Sequence, residues 1–273
     1  MSDTAITAVP SFPLFVPADR PDRFAKACAA GTDTVIIDVE DAVAPDSKVA
    51  VRRIPEGALP KERTVRLYLR VNAVDTPWYR DDVAFARAMA FDGVVLPKAE
   101  SAAQVAALRE ALEPGRTILA LVETVAGLAA IDEIARAADQ IAFGSIDFAE
   151  DMGCAHTRQT LLPIRSRVVM AARLAGRPAP IDGVTPTTTD TALMADDAKH
   201  SNEMGFGGKL LIHPHQIAPS RAAFRPDAGD LDWASRVLSA AKSGATVVID
   251  GAMVDAPIVA RARRILARER ALT

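Results

Sequence analysis

Short apolar runs recur along the chain, each followed by a stretch with helical spacing. The runs are PLFVPA, TVIIDVE, VRLYLRVN, GVVLPK, ILALVE, QIAFGS, PIDGVT and GKLLIH. Their apolar residues are consecutive rather than alternating, as in parallel strands buried on both faces. Between them lie alanine-rich stretches such as SAAQVAALREAL and LMADDAKHSNEMGF, whose apolar positions repeat at helical intervals. Eight strand-then-helix units predict an α/β fold, a TIM (β/α)8 barrel over residues 1–225. A doubly wound open sheet is the second candidate, but no glycine-rich dinucleotide fingerprint follows the first strand.

Past the eighth run, DLDWASRVLSAAKSG predicts a helix ended by Gly244. ATVVIDGAMVDAP predicts a short strand, a turn and a loop, and IVARARRILARERAL an amphipathic, arginine-rich helix. Residues 226–273 are therefore expected to form a C-terminal helical extension, packed on the barrel or on a neighbouring subunit.

Composition narrows the class. Apolar residues make up 49% of 273, enough for a sizeable core, and the net charge is −3 with both signs spread along the chain. A nucleic-acid binder would show a basic surplus. Cys28 and Cys154 are far apart and lack metal-ligand spacing, which points to a reducing compartment and no disulfide framework. The opening MSDTAITAVPSFPLF has no basic region leading into a long apolar stretch, so no signal peptide is expected. Glu123, Asp132 and Glu133 break the most apolar long window. It falls short of the roughly 18 apolar residues of a membrane span. The expectation is a cytoplasmic protein without membrane contact.

In barrel enzymes the chemistry sits at the C-terminal strand ends. Those ends carry Asp38, Glu40 and Asp41, then Arg70 and Asn72, then Lys98, Glu123, Asp147, and finally Lys209 and His213. Glu123 and Asp147 would repel each other across adjacent strands unless a divalent cation lay between them. Oxygen ligands without Cys or His suit Mg²⁺ or Mn²⁺ rather than Zn²⁺. Arg70 could then grip a substrate carboxylate with its planar fork. Simpler roles compete. Glu123 and Asp147 could cap the helices that follow them, Arg70 could pair structurally with Asp38 or Asp41, and DVEDA could be a solvated loop. His213 and His215 have the spacing of a metal pair, but proline stands between them, and a structural role is the expectation. GFGG reads as a helix end. Lys98 could serve an imine-forming aldolase, act as a cation at the mouth, or cap its strand.

Nine stretches, taken together, resemble the citrate lyase beta-subunit-like branch of the HpcH/HpaI aldolase superfamily. They are LFVPADRPDRFAKA, IIDVEDAVAPDSKVAVR, LRVN, GVVLPKAES, LVETVAGL, FGSIDFAEDMG, IDGVTP, GFGGKLLIHPHQI and DGAMVDAPIVARARRIL. The branch includes malyl-CoA and citramalyl-CoA lyases. The resemblance implies a TIM barrel that binds Mg²⁺ through Glu123 and Asp147, with Arg70 on the substrate carboxylate. It implies that Asp38, Glu40 and Asp41 support that arginine and the metal's waters. It further implies that Asp255, in GAMVDAP, acts as acid/base from a neighbouring subunit, and that Arg20 and Lys26 lie near coenzyme A. The expected reaction is cleavage of a 3-hydroxyacyl-CoA thioester into a 2-keto acid and acetyl-CoA by a homotrimer or hexamer. The alternatives are a citrate lyase beta subunit acting on an acyl-carrier thioester and a keto-acid aldolase that needs no coenzyme A. GSIDF departs from the family's usual GTEDL or GANDL, placing Ile146 where a polar residue is common. TPTTTD has no assigned role.

Overall fold

The structure is a computed structural model that describes residues 10–272, apart from Glu56, Lys61 and 242–247. The expectations for the N-terminal leader and for a helix stop at Gly244 fall, for residues 1–9 and 242–247, outside the described residues. The chain divides into two compact units, the first ending at Ser220 and the second beginning at Arg221.

Each of the eight apolar runs coincides with a strand of the first unit, β5 beginning one residue ahead of its run at Thr117. They are β1 (Leu14–Pro17), β2 (Thr34–Asp38), β3 (Arg66–Arg70), β4 (Gly93–Leu96), β5 (Thr117–Val122), β6 (Gln140–Phe143), β7 (Ile181–Asp182) and β8 (Gly208–Lys209). They form one sheet in chain order, and every pair is parallel. Three backbone bonds join its end to its beginning: Lys209 N–H to Ser11 O (2.8 Å), Leu211 N–H to Pro13 O (2.9 Å) and Phe15 N–H to Leu211 O (2.8 Å). The arrangement is TIM-barrel-like. Ile36, Tyr68, Val95, Leu119, Leu121, Ala142, Ile181 and Leu210 fill the interior as one cluster, so it is a packed core and not a pore. Gly93 is needed for that packing, because a Cβ there would lie 2.5 Å from the Tyr68 ring. Burial among these side chains pushes the Tyr68 phenol up to about 12.

Helices are bounded as their sequences direct. Ser101 and Gln104 form a reciprocal capping box at the start of the helix Ala102–Ala111. Asp190 caps Thr191–Met204, which stops at Gly205 with φ 97°. GFGG is thus a helix end. The register pairs Asp38 with Arg70, and Val122 with Phe143. It thereby sets the ends of β2 and β3 side by side, and the residues after β5 beside those after β6.

On the outer side of β7 and β8 lies a buried polar network. Asp182 bonds to Arg165 and Ser201, and Lys209, 1% exposed, bonds to Gly183 O and pairs with Asp197 at 2.8 Å. Burial pushes the Asp197 carboxyl up, but Lys209, Thr185 and Arg165 outweigh it and hold it at about 2. The folded value lies below the ordinary one, so this stability is present above pH ~4 and is lost as pH falls towards ~2. Asp197→Asn is expected to cost about 2 kcal/mol at pH 7, less than a fully broken buried pair because Lys209 keeps its other partners. Urea unfolding at pH 7 and pH 3 checks this; an equal cost at both would refute it.

Among its described residues the second unit packs the helices Ala228–Ala241 and Ala256–Leu272 around Ala234, Val237 and Ala262. Between them β9 (Val248–Ile249) and β10 (Ala252–Met253) pair antiparallel. Asp250 and Gly251 both have positive φ, 50° and 80°, as a two-residue hairpin turn requires.

Candidate active site

The strand ends build one cleft. A cavity of about 390 Å³ is lined by Asp38, Asp41, Arg70, Glu123, Ser145 and Asp147, with apolar walls from Phe15, Leu121, Val184, Leu210 and Ile212. Arg70 is its hub. Its Nε and Nη2 donate to the two Asp38 oxygens at 2.8 and 2.6 Å, and its Nη1 lies 2.9 Å from Glu40 and 3.3 Å from Asp41. The guanidinium also stacks over the Phe15 ring, 4.7 Å from its centroid. Burial opposes its charge, but Asp38, Glu40 and Asp41 outweigh burial and keep it protonated. Structural pairing, one of the roles open from sequence, is therefore present, and it engages all three guanidinium nitrogens. Asp38 also accepts from the backbone of Glu40 and Ala42, so DVEDA is a folded loop rather than a solvated one. Burial pushes the Glu40 carboxyl up to about 7 against the pull of Arg70.

Glu123 follows β5 and is 2% exposed. It does not cap the next helix; Thr124 does, accepting from Gly127 N–H at 3.0 Å. Its Oε1 accepts from Lys98 N–H at 2.8 Å, while its Oε2 is buried without a hydrogen-bond partner. Gly144 leaves space for that oxygen, since a Cβ there would lie 2.5 Å from it. Burial first, then the charges of Glu40 and Asp147, push the Glu123 carboxyl well above its usual range. Asp147, exposed at the rim, lies in the first turn of the helix Ser145–Met152 and makes no side-chain cap.

These residues fit a hard dication. An orphaned buried carboxylate oxygen, raised by neighbouring acids, is what a cation would satisfy. Among the described residues no group of three or more His, Cys, Asp or Glu forms a metal cluster. Two carboxylates are enough for Mg²⁺, which keeps several waters.

Lys98 is now placed. Its backbone has a positive φ of 45°, rare outside glycine, and that turn aims its N–H at Glu123. Its Nζ lies 3.8 Å from Glu40. Burial pulls the ammonium down, but Glu40, Asp41, Glu123 and Asp147 outweigh it and hold it up, which disfavours imine chemistry.

Other expected members lie elsewhere. Asn72 turns away to bond Asp82, Val39 O and Lys48. Lys209 belongs to the buried network on the outer side of β7 and β8. His213 accepts from His215 N–H through Nδ1, a local cap rather than a metal pair. Thr185 O and Thr187 O of the threonine segment accept from Gln216, and Thr187 Oγ1 accepts from Asp190 N–H. The segment thus braces the helix that Asp190 caps. Lys26 lines an adjoining cavity of about 340 Å³ with Arg23 and His213, and Arg20, exposed, is not among its lining residues. Asp255, in the second unit, is exposed and accepts from Ile258 N–H at 3.0 Å, capping its helix. Sequence reasoning missed Lys48, which ties Val39 O, Glu40 O and Asn72 together. It also missed Ser145, whose Oγ lies 3.0 Å from His156 Nε2.

Known proteins resemble this chain along nearly all its length. A citrate lyase subunit beta-like protein of Mycobacterium tuberculosis is 38% identical over 266 residues, 93% of this chain and 94% of that one. A (3S)-malyl-CoA thioesterase of Cereibacter sphaeroides is 30% identical over 272 residues, 95% of this chain and 94% of that one. The crystal structure of the protein CitE from Mycobacterium tuberculosis, in complex with magnesium, acetoacetate and coenzyme A, superposes with a TM-score of 0.85. It is 36% identical and the match covers 96% of this chain and 99% of that one. Among the described residues no helix is long and apolar enough to cross a membrane. The profile of HpcH/HpaI aldolase/citrate lyase matches residues 11–214, and the chain belongs to that family.

Proposed function

We propose that the protein is a Mg²⁺-dependent carbon–carbon lyase in which Mn²⁺ can substitute. It cleaves a 3-hydroxyacyl-CoA thioester of citramalyl, malyl or citryl type into a 2-keto acid and acetyl-CoA. It works in the cytoplasm as a homotrimer or hexamer, through a (β/α)8 barrel with a C-terminal helical extension. One observation carries the reading: the buried Glu123 carboxylate has one oxygen held by Lys98 N–H and the other without a partner, in a cavity shared with Asp147 and Arg70.

Glu123 and Asp147 would hold the ion. When bound, it lowers the pKa of a ligated hydroxyl and polarises the ketone forming from it. Arg70 lines the cavity with all three nitrogens on Asp38, Glu40 and Asp41, and its second Nη2 N–H, with the weakly held Nη1 edge at Asp41, is what it offers the substrate carboxylate. Asp38, Glu40 and Asp41 fix the guanidinium beforehand, so little reorganisation accompanies the reaction. The apolar walls exclude water from the breaking bond. Arg20 and Lys26, with Arg23, are the cations proposed for the coenzyme A phosphates. Asp255 of a neighbouring copy protonates the thioester enolate.

Kinship with a malyl-CoA thioesterase favours a second reading, hydrolysis of the thioester in the same cleft. A panel of malyl-, citramalyl- and citryl-CoA incubated with Mg²⁺ separates the two. The lyase releases a 2-keto acid and acetyl-CoA; release of free coenzyme A without a keto acid would replace it with the hydrolase. Activity on a citryl acyl-carrier thioester alone would identify a citrate lyase beta subunit. In the same assay Asp255→Asn is expected to turn over about a hundredfold more slowly, the usual worth of an acid–base group. Undiminished turnover would remove Asp255 from the reaction.

A further inference from the structure

One wall of the cleft has no part in the carboxylate cluster. Ser145, 1% exposed, opens the helix that carries Asp147 and lines the cavity of about 390 Å³. Its Oγ lies 3.0 Å from Nε2 of His156. His156 also lines a neighbouring cavity of about 250 Å³, together with Arg158, Arg165, Thr185 and Asp197. The serine–histidine pair therefore stands between the cleft and a second cavity that carries charged side chains among apolar ones. Gly183 makes the room, because a Cβ there would collide with Ser145 Oγ. His156 itself is exposed, so a proton arriving on it has a route to water.

A serine hydroxyl has one donor and two acceptor positions. With Nε2 unprotonated, the hydroxyl donates to it and keeps lone pairs for a ligand. With Nε2 protonated, the hydroxyl accepts and has its own proton to offer. The two arrangements are the two ends of a single transfer, the first with a neutral ring and the second with an imidazolium. The surroundings of the ring favour its neutral form, which can take up a proton. Partial desolvation of the ring and Arg165 hold its proton affinity below the ordinary histidine value, and Lys209 adds to them, while Asp197 and Asp182 pull the other way. Arg158 is a further cation in the same chamber.

We propose that Ser145 and His156 form the proton relay that accepts the hydroxyl proton of the substrate. The inference rests on the lyase reading for the identity of that proton. The substrate O–H bond breaks, and its electron pair becomes the second bond of the ketone. The carbon–carbon pair departs on the thioester arm as an enolate. Ser145 Oγ takes the proton as it passes its own to His156 Nε2, which becomes an imidazolium and discharges to water. A separate acid returns one proton to the enolate, so the balance closes.

The test uses Ser145→Ala and His156→Gln in the full-length, Mg²⁺-loaded protein. Both are expected to lose about a hundredfold or more in kcat. KM and the affinity for Mn²⁺, read by electron paramagnetic resonance, should stay within about threefold, since the relay moves protons and does not bind. Wild-type kcat should fall as pH drops through the depressed pKa of His156, and that limb should vanish in His156→Gln. A kcat within threefold of wild type in either variant, or an acid limb that survives in His156→Gln, overturns the relay. A second readout needs no turnover. The His156 ring signal, assigned by its loss in His156→Gln, is followed by NMR as pyruvate is added. A shift in wild type that disappears in Ser145→Ala supports the coupling; no shift, or one that persists in Ser145→Ala, overturns it. If no thioester is cleaved but the serine-dependent shift is present, the lyase reading fails and the coupled pair stands.

Discussion

Glu123→Gln is expected to lower turnover by at least about a thousandfold, because a catalytic ion supplies several kcal/mol of charge stabilisation. The amide has nearly the same shape, so the packing against Gly144 and the Lys98 N–H bond are kept. What disappears is the negative charge and the free oxygen. The same change should leave the metal-free protein as stable as wild type or more so. In wild type the carboxylate is buried beside other acids, and its charge is a cost to folding. A gain of stability with loss of function marks a group retained for chemistry. Thermal melts with and without Mg²⁺ give the direct check: the ion should raise the melting temperature of wild type and not of the variant. Equal stabilisation of both proteins would show that the ion binds elsewhere.

Arg70→Met is expected to cost about 3–5 kcal/mol of folding stability, the range for breaking a buried ion pair. Asp38 and Glu40, 1% and 5% exposed, would be left without their shared counter-charge. Turnover should fall with it, since no guanidinium would remain for the substrate carboxylate. Arg70→Lys separates charge from shape. It restores a positive charge, but an ammonium cannot reproduce two parallel bonds to Asp38. It should recover part of the stability and little of the turnover. Urea unfolding beside kinetics measures both; a Met variant as stable as wild type would mean that the arginine hub does not support the fold.

The strands were legible because a parallel sheet buries both faces, and consecutive apolar residues report that directly. Even the two-residue strands β7 and β8 fell inside their runs. The strand ends were legible as a set but not one by one. A single step along a strand reverses the face on which a side chain lies. Lys209 therefore ends β8 pointing to Asp197 and Asp182, while Asn72, past the end of β3 where strand parity no longer applies, bonds Asp82, although both read as members of the mouth. The Ser145–His156 pair was invisible for a different reason: it joins residues across a helix and a loop, with no periodicity to report it. Composition names which groups are near the mouth; only register and loop geometry say which of them meet.

The left-handed turn at Lys98 means that part of this centre is encoded in the polypeptide backbone. What position 98 must supply first is an amide in a conformation that most side chains resist. Asparagine or glycine there would preserve the grip on the acid while deleting the cation, whereas valine or isoleucine would spoil the grip however well it filled the space. Replacement tables that score only charge and bulk would rank those substitutions in the wrong order.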